Sequence, residues 1–178
     1  MIRLFAAIPM PGAIAAELAG CKVGMPGARW RPPESLHLTL RFAGDIDEVT
    51  AADLESELSV VGGAPFALRL AGVGSFGDGR DQHALWAGAE ACDPLRGLAK
   101  RCETAARRAG LPPERRVWRP HVTLAYLRRS DPVRVAEWIQ AHNLLHTAPF
   151  MIESFGLYSS WRAAEGSAYR LERLYPLG

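Results

Sequence analysis

Residues 35–42 (SLHLTLRF) alternate apolar and polar side chains with period two. In a strand that alternation sends Leu36, Leu38 and Leu40 to one face and His37, Thr39 and Arg41 to the other. The same pattern returns in residues 117–127, where Val122 and Leu124 oppose His121 and Thr123. Apolar stretches at 2–8, 65–73, 83–89, 150–158 and 169–175 predict further strands, and the pair 65–73 and 83–89 reads as a hairpin. Helical signals fall between them. Pro11 starts a helix to about residue 21, and Asp47 or Thr50 caps one to about residue 58. Asp93 at the N-cap, Pro94 behind it, the stripe Leu95, Leu98 and Cys102, and the stop Gly110 frame a helix over 93–109. Asp131-Pro132 opens a last helix to about residue 142. Residues 24–33 read as a Gly/Pro-rich connection, 72–79 as a turn-rich loop and 163–166 as a turn.

Helices and strands alternate, yet the hairpins argue against an all-parallel sheet. The predicted class is α+β, with residues 1–178 forming one bilobal domain. The two matching strands predict two similar lobes around a central cleft, with antiparallel-rich sheets inside and helices outside.

Composition narrows this picture. The chain has 178 residues and is 48% hydrophobic, enough for a substantial core. No run of eighteen apolar residues occurs, so no transmembrane helix is expected. Pro9 and Pro11 interrupt the apolar N-terminus, which fits strand followed by helix better than a signal peptide. A cytoplasmic protein is expected. Cys21, Cys92 and Cys102 are odd in number and lack a Cys-x-x-Cys pair, which argues against disulfides or a thiolate zinc site. The net charge of +2 announces no polyanion partner by itself. Only Lys22 and Lys100 are lysines; the other basic residues are arginines, which suit bidentate phosphate recognition.

The chemistry sits in the repeat. WRPPESLHLTL (residues 30–40) and WRPHVTL (residues 118–124) both run from Trp-Arg-Pro to His-x-Thr-Leu. Five His and five Thr in random order would give about 0.14 His-x-Thr matches. Two copies, each on a strand pattern, point to a paired site instead of two unrelated polar faces. Two imidazoles can divide acid and base between them at neutral pH. One takes a proton from an attacking water and the other protonates a departing alkoxide. The threonine hydroxyls can donate to non-bridging phosphate oxygens. This scheme for a phosphodiester needs no metal or other cofactor, and neither motif carries a carboxylate. Spacing alone does not tell the acid from the base.

The chain resembles the 2H phosphoesterase superfamily, and within it the bacterial and archaeal RNA 2′,3′-cyclic phosphodiesterases once called 2′-5′ RNA ligases. LFAAIPMP, WRPPESLHLTLRFAGDI, WRPHVTLAYL and FGLYSSWRAAEGSAYRLERLYPLG carry the resemblance, which spans nearly the whole chain. It implies hydrolysis of a terminal RNA 2′,3′-cyclic phosphate to a 2′-phosphomonoester. His37 would be the proton donor to the leaving 3′ oxygen, His121 the base, and Thr39 and Thr123 the phosphate-holding pair. Many members carry Arg two residues after the Leu of the second motif; here that residue is Tyr126. Candidate substrate contacts are therefore Arg41, which shares strand parity with His37, together with Tyr126, Arg128 and Trp30. Trp30 and Trp118 fit either stacking on a base or packing beneath their motif strands. The expected partner is RNA or a nucleotide with a cyclic phosphate end, with no membrane and a monomeric protein. Two alternatives stand beside hydrolysis: 2′-5′ RNA ligation by the reverse chemistry, and a catalytically silent nucleotide-binding module. His142 and His146, four apart, read as a surface pair. Gly72 to Gly79 matches a phosphate loop in composition only.

Overall fold

The computed structural model describes residues 1–163 and 166–178. Its strands are β1 (Ile2–Pro9), β2 (Arg29–Trp30), β3 (His37–Ile46), β4 (Phe66–Leu68), β5 (Leu70–Phe76), β6 (Ala84–Ala89), β7 (His121–Tyr126), β8 (Phe150–Ile152), β9 (Ser154–Ala163) and β10 (Gly166–Pro176). Its helices are α1 (Gly12–Ala19), α2 (Glu48–Ser59), α3 (Asp93–Arg108) and α4 (Pro132–His142). The chain is α+β and antiparallel, as its hairpins require.

The main sheet runs β10-β9-β1-β3-β7-β6-β5, with β2 paired to β7 off that path. β1 and β3 pair at eight positions and β6 and β7 at five. β3 and β7 meet at one, Leu38 opposite Val122. The sheet is thus two lobes of four strands each, β2 counted with β7, joined along the two motif strands. A separate ribbon pairs β4 with β8.

Local chemistry explains the helix ends. The Asp47 carboxylate accepts from the Thr50 amide at 2.9 Å at the start of α2, and Asp131 accepts from Val133 at 3.0 Å at the start of α4. For α3 the N-cap is Cys92, and Asp93 lies in the first turn beside Pro94. Leu95, Leu98, Cys102 and Ala106 of α3 are fully buried, and the helix packs on β3. Trp138 of α4 donates its indole N–H to the Cys21 carbonyl at 2.9 Å, which ties α4 to the end of α1.

Several expected boundaries shift. The stretch 24–33 contains β2. The stretch 65–73 splits into β4 and β5, which belong to different sheets. Residues 72–76, expected as loop, continue β5, because glycine at 72 (φ 70°) absorbs the irregularity between Leu70 and Val73. The stretch 150–158 likewise divides between β8 and β9. β3 runs on through Gly44, whose φ is 79°. Of the turn expected at 163–166, residues 164 and 165 lie outside the described residues.

Candidate active site

The pair Leu38–Val122 fixes the site. Both side chains are fully buried. In an antiparallel pair the flanking residues face the opposite side of the sheet and lie across from one another. His37 therefore stands across from Thr123, and Thr39 across from His121. The four half-buried polar side chains make an alternating His–Thr–His–Thr set about a local two-fold axis. The supports repeat as well. Nδ1 of His37 donates to the Ser35 carbonyl at 2.8 Å, and Nδ1 of His121 donates to the Arg119 carbonyl at 2.7 Å. A carbonyl can only accept, so each ring carries its proton on Nδ1 and keeps Nε2 for chemistry.

The surroundings of the two rings differ. Phe5 lies 4.8 Å from His37, Tyr169 meets it edge-on at 5.0 Å, and Tyr158 stacks at 6.5 Å. Burial among these rings pushes His37 down to about 4, with smaller contributions of the same sign from Arg31 and His121; the Ser35 carbonyl opposes them. His121 is lowered too, chiefly by burial, and its closest ring is Phe76 at 4.7 Å. Burial thus disfavours the charged form of both imidazoles in the free protein.

Above the His37 side lies a cleft of roughly 330 Å³. His37, Thr39 and Thr123 line it, together with Arg3, Arg31, Arg162, Tyr126 and Tyr169. His121 is not among the lining residues. No carboxylate lines the cleft among the described residues. Arg31 is only 7% exposed, and its guanidinium lies 4.9 Å over the Tyr169 ring and 5.7 Å over the Tyr126 ring. Burial, with Tyr126 next to it, pushes the Tyr169 hydroxyl up to about 12, so it stays a neutral donor.

Of the expected substrate contacts, Tyr126 is in the cleft and three others are not. Arg41, expected on the face of His37, turns away from it. Between Ala6 and Ala7 the register with β1 slips, and the extra residue on β3 is Leu40. The bulge reverses the alternation, so Arg41 leaves the face of His37 and Thr39. It is 9% exposed, ion-paired with Glu103 of α3, and donates to the carbonyls of Phe42 and, at 2.6 Å, Pro112. Arg128 is exposed beyond the end of β7 and does not line the cleft. Trp30 packs against Trp138 at 6.1 Å and against the core, since its partner across the β2–β7 pair is the buried Ala125. Trp118 donates to the Thr39 carbonyl at 3.0 Å, which pins one motif strand to the other.

Arg31, Tyr169 and Tyr158 were not singled out by their sequence patterns. Arg31 had a signal, since it is the Arg of the first Trp-Arg-Pro. His142 donates to the Trp138 carbonyl while His146 meets Arg69, so the two do not share a site. Among the described residues no group of three or more His, Cys, Asp or Glu could hold a metal ion. No helix is long and apolar enough to cross a membrane.

Comparison with known proteins bears on the same cleft. An RNA 2′,3′-cyclic phosphodiesterase of Aquifex aeolicus (strain VF5) is 27% identical over 154 residues, which cover 84% of this chain and 82% of that protein. The enzyme of that name from Archaeoglobus fulgidus is 25% identical over 177 residues, covering 98% and 99%. The crystal structure of TT0787 of Thermus thermophilus superposes with a TM-score of 0.80 at 25% identity, covering 98% of this chain and 97% of that one. Residues 11–163 match the family model described as the 2′-5′ RNA ligase superfamily, and the chain belongs to that superfamily.

Proposed function

We propose that the chain hydrolyses a terminal RNA 2′,3′-cyclic phosphate to a 2′-phosphomonoester, without a metal ion. The observation that carries this is the alternating His–Thr set across the Leu38–Val122 pair, three of whose members, His37, Thr39 and Thr123, line a cleft that also holds arginines. The activity of the named relatives supports the same substrate. His121 accepts a proton from water as its oxygen attacks phosphorus. The bond from phosphorus to the 3′ oxygen breaks, and His37 gives that oxygen its proton. Thr39 and Thr123 donate to the non-bridging oxygens, where charge grows.

The low value at His37 fits this role in one way. Before substrate binds, the cleft holds it neutral, and the phosphodiester anion offsets the burial that keeps the proton off. The acid is thereby charged when substrate arrives. Free Cys21, Cys92 and Cys102 support a reducing compartment such as the cytoplasm, and a monomer is part of the proposal.

The test is product analysis on a short RNA with a 2′,3′-cyclic phosphate end, in EDTA. The expected product is the 2′-phosphomonoester, and His37→Ala and His121→Ala each lower turnover by roughly 10² or more. Binding without turnover would leave a nucleotide-binding module. Dominant formation of a 2′-5′ linkage with a 5′-hydroxyl RNA would leave a ligase.

A further inference from the structure

Three arginines line the cleft, and they are not equivalent. Arg3 is half exposed and pairs with Asp45 at 3.5 Å. Arg162 is exposed on β9. Arg31 is buried, beside His37, and anchored through its backbone: its amide donates to the Leu124 carbonyl at 2.8 Å, and Lys22 donates to its own carbonyl at 2.6 Å. One guanidinium nitrogen donates to the Ser167 carbonyl at 2.9 Å. Among the described residues no carboxylate pairs with it. A buried cation held by two ring faces and one carbonyl retains unused N–H donors and an unbalanced charge, which together suit an oxyanion.

We infer that Arg31, which directly follows β2, is the cation that grips the substrate phosphate in this chain, its guanidinium standing over the Tyr126 ring. The register makes an exchange between the two positions possible. β2 lies directly on β7, with Arg29 across from Tyr126, so a guanidinium from residue 31 and one from residue 126 reach the same volume. The inference rests on the cyclic-phosphate reading for the identity of the ligand.

Inorganic phosphate is titrated calorimetrically into the wild type, Arg31→Met, Arg31→Lys and the double variant Arg31→Met/Tyr126→Arg. Circular dichroism checks the fold of each. Arg31→Met is expected to weaken phosphate about tenfold or more, Arg31→Lys less, and the double variant to recover most of the affinity. In Arg31→Met the His37 titration midpoint, read by NMR, moves up, because a neighbouring cation has gone. A strut with no ligand role would not produce the recovery of phosphate affinity in the double variant. Wild-type phosphate affinity in Arg31→Met overturns the inference, as does a wild type that binds no phosphate. Should Arg31→Met not fold, Arg31→Lys with undiminished phosphate affinity overturns it. Cyclic-phosphate hydrolysis is assayed in parallel. Arg31-dependent phosphate binding without hydrolysis supports the inference and removes the hydrolase reading.

Discussion

His37 is neutral for a reason that also makes it a burden in acid. Its neighbours Phe5, Tyr158 and Tyr169 remove the water that would solvate an imidazolium. The ordinary value of 6.5 applies in the unfolded chain, and about 4 applies in the folded one. Between those values the unfolded state binds a proton that the folded state refuses. Stability is therefore full above about 6.5 and is lost as pH falls towards about 4. His121 is lowered as well and acts with the same sign. Replacing His37 with Phe keeps the ring and removes the titration. Thermal melting of the wild type should fall through that window, with a shallower acid limb for His37→Phe. Parallel limbs would contradict the burial account. Sulfate, which does not titrate in this range, is the matching ligand probe. Its affinity should rise as pH falls towards about 4, because the anion makes protonation of His37 easier. A pH-independent affinity would mean that the anion does not reach the ring.

β3 shows what an element adds to its residues. Its first half follows strict alternation, and that half carries the legible part of the site: His37, Thr39 and the buried Leu38 and Leu40. The bulge at Leu40 has no signature in the run LTLRF, since each residue there suits a regular strand. Alternation thus led to the cleft for His37 and away from it for Arg41. β2 was hidden for a different reason. Two residues carry no period, and its existence depends on β7, more than ninety residues later. Tyr158 and Tyr169 lay in strands that were legible, but which face of each strand met His37 was settled by the pairing of β9 with β1 and β10. The bulge has a measurable consequence. Arg41 now ties β3 to α3 through Glu103, whose other oxygen accepts from the Glu114 amide at 3.2 Å. Arg41→Met leaves Glu103 and two carbonyls without their donor. Removing one partner of a buried pair costs about 3–5 kcal/mol, and the part-exposed Glu103 reduces this to about 2–3 kcal/mol. Urea unfolding should record that loss, while phosphate affinity of the folded variant stays at the wild-type level. Lost affinity with an intact fold would return Arg41 to the cleft.

Across the whole molecule, charge is small in sum and concentrated in space. The net charge is +2, yet the described residues lining the cleft include three arginines and no carboxylate. Several acidic groups are paired with arginines: Asp45 with Arg3 at the rim, Glu103 with Arg41 inside, and Glu55, Glu114 and Glu172 with arginines on outer surfaces. The two-lobed sheet brings this about, because β1, β9 and the residue that follows β2 bring Arg3, Arg162 and Arg31 together near the line where β3 meets β7. A cleft of one sign between low-dielectric walls focuses its field on a substrate anion. Buried Arg31 acts at the reacting phosphate, whereas Arg3 and the exposed Arg162 are positioned for phosphates further up an RNA strand. Each phosphate of a single strand neutralised by a protein cation contributes about −0.7 to the slope of log affinity against log salt. A cyclic mononucleotide, which offers one phosphate, should therefore show a shallow salt dependence of kcat/KM. A short RNA with the same cyclic end should show a slope steeper by about 0.7 to 1.4, for one or two further contacts. Arg162→Gln should remove one such increment for the RNA and leave the mononucleotide unchanged. Equal slopes for the two substrates would confine recognition to the terminal phosphate and leave the rim arginines as surface charge.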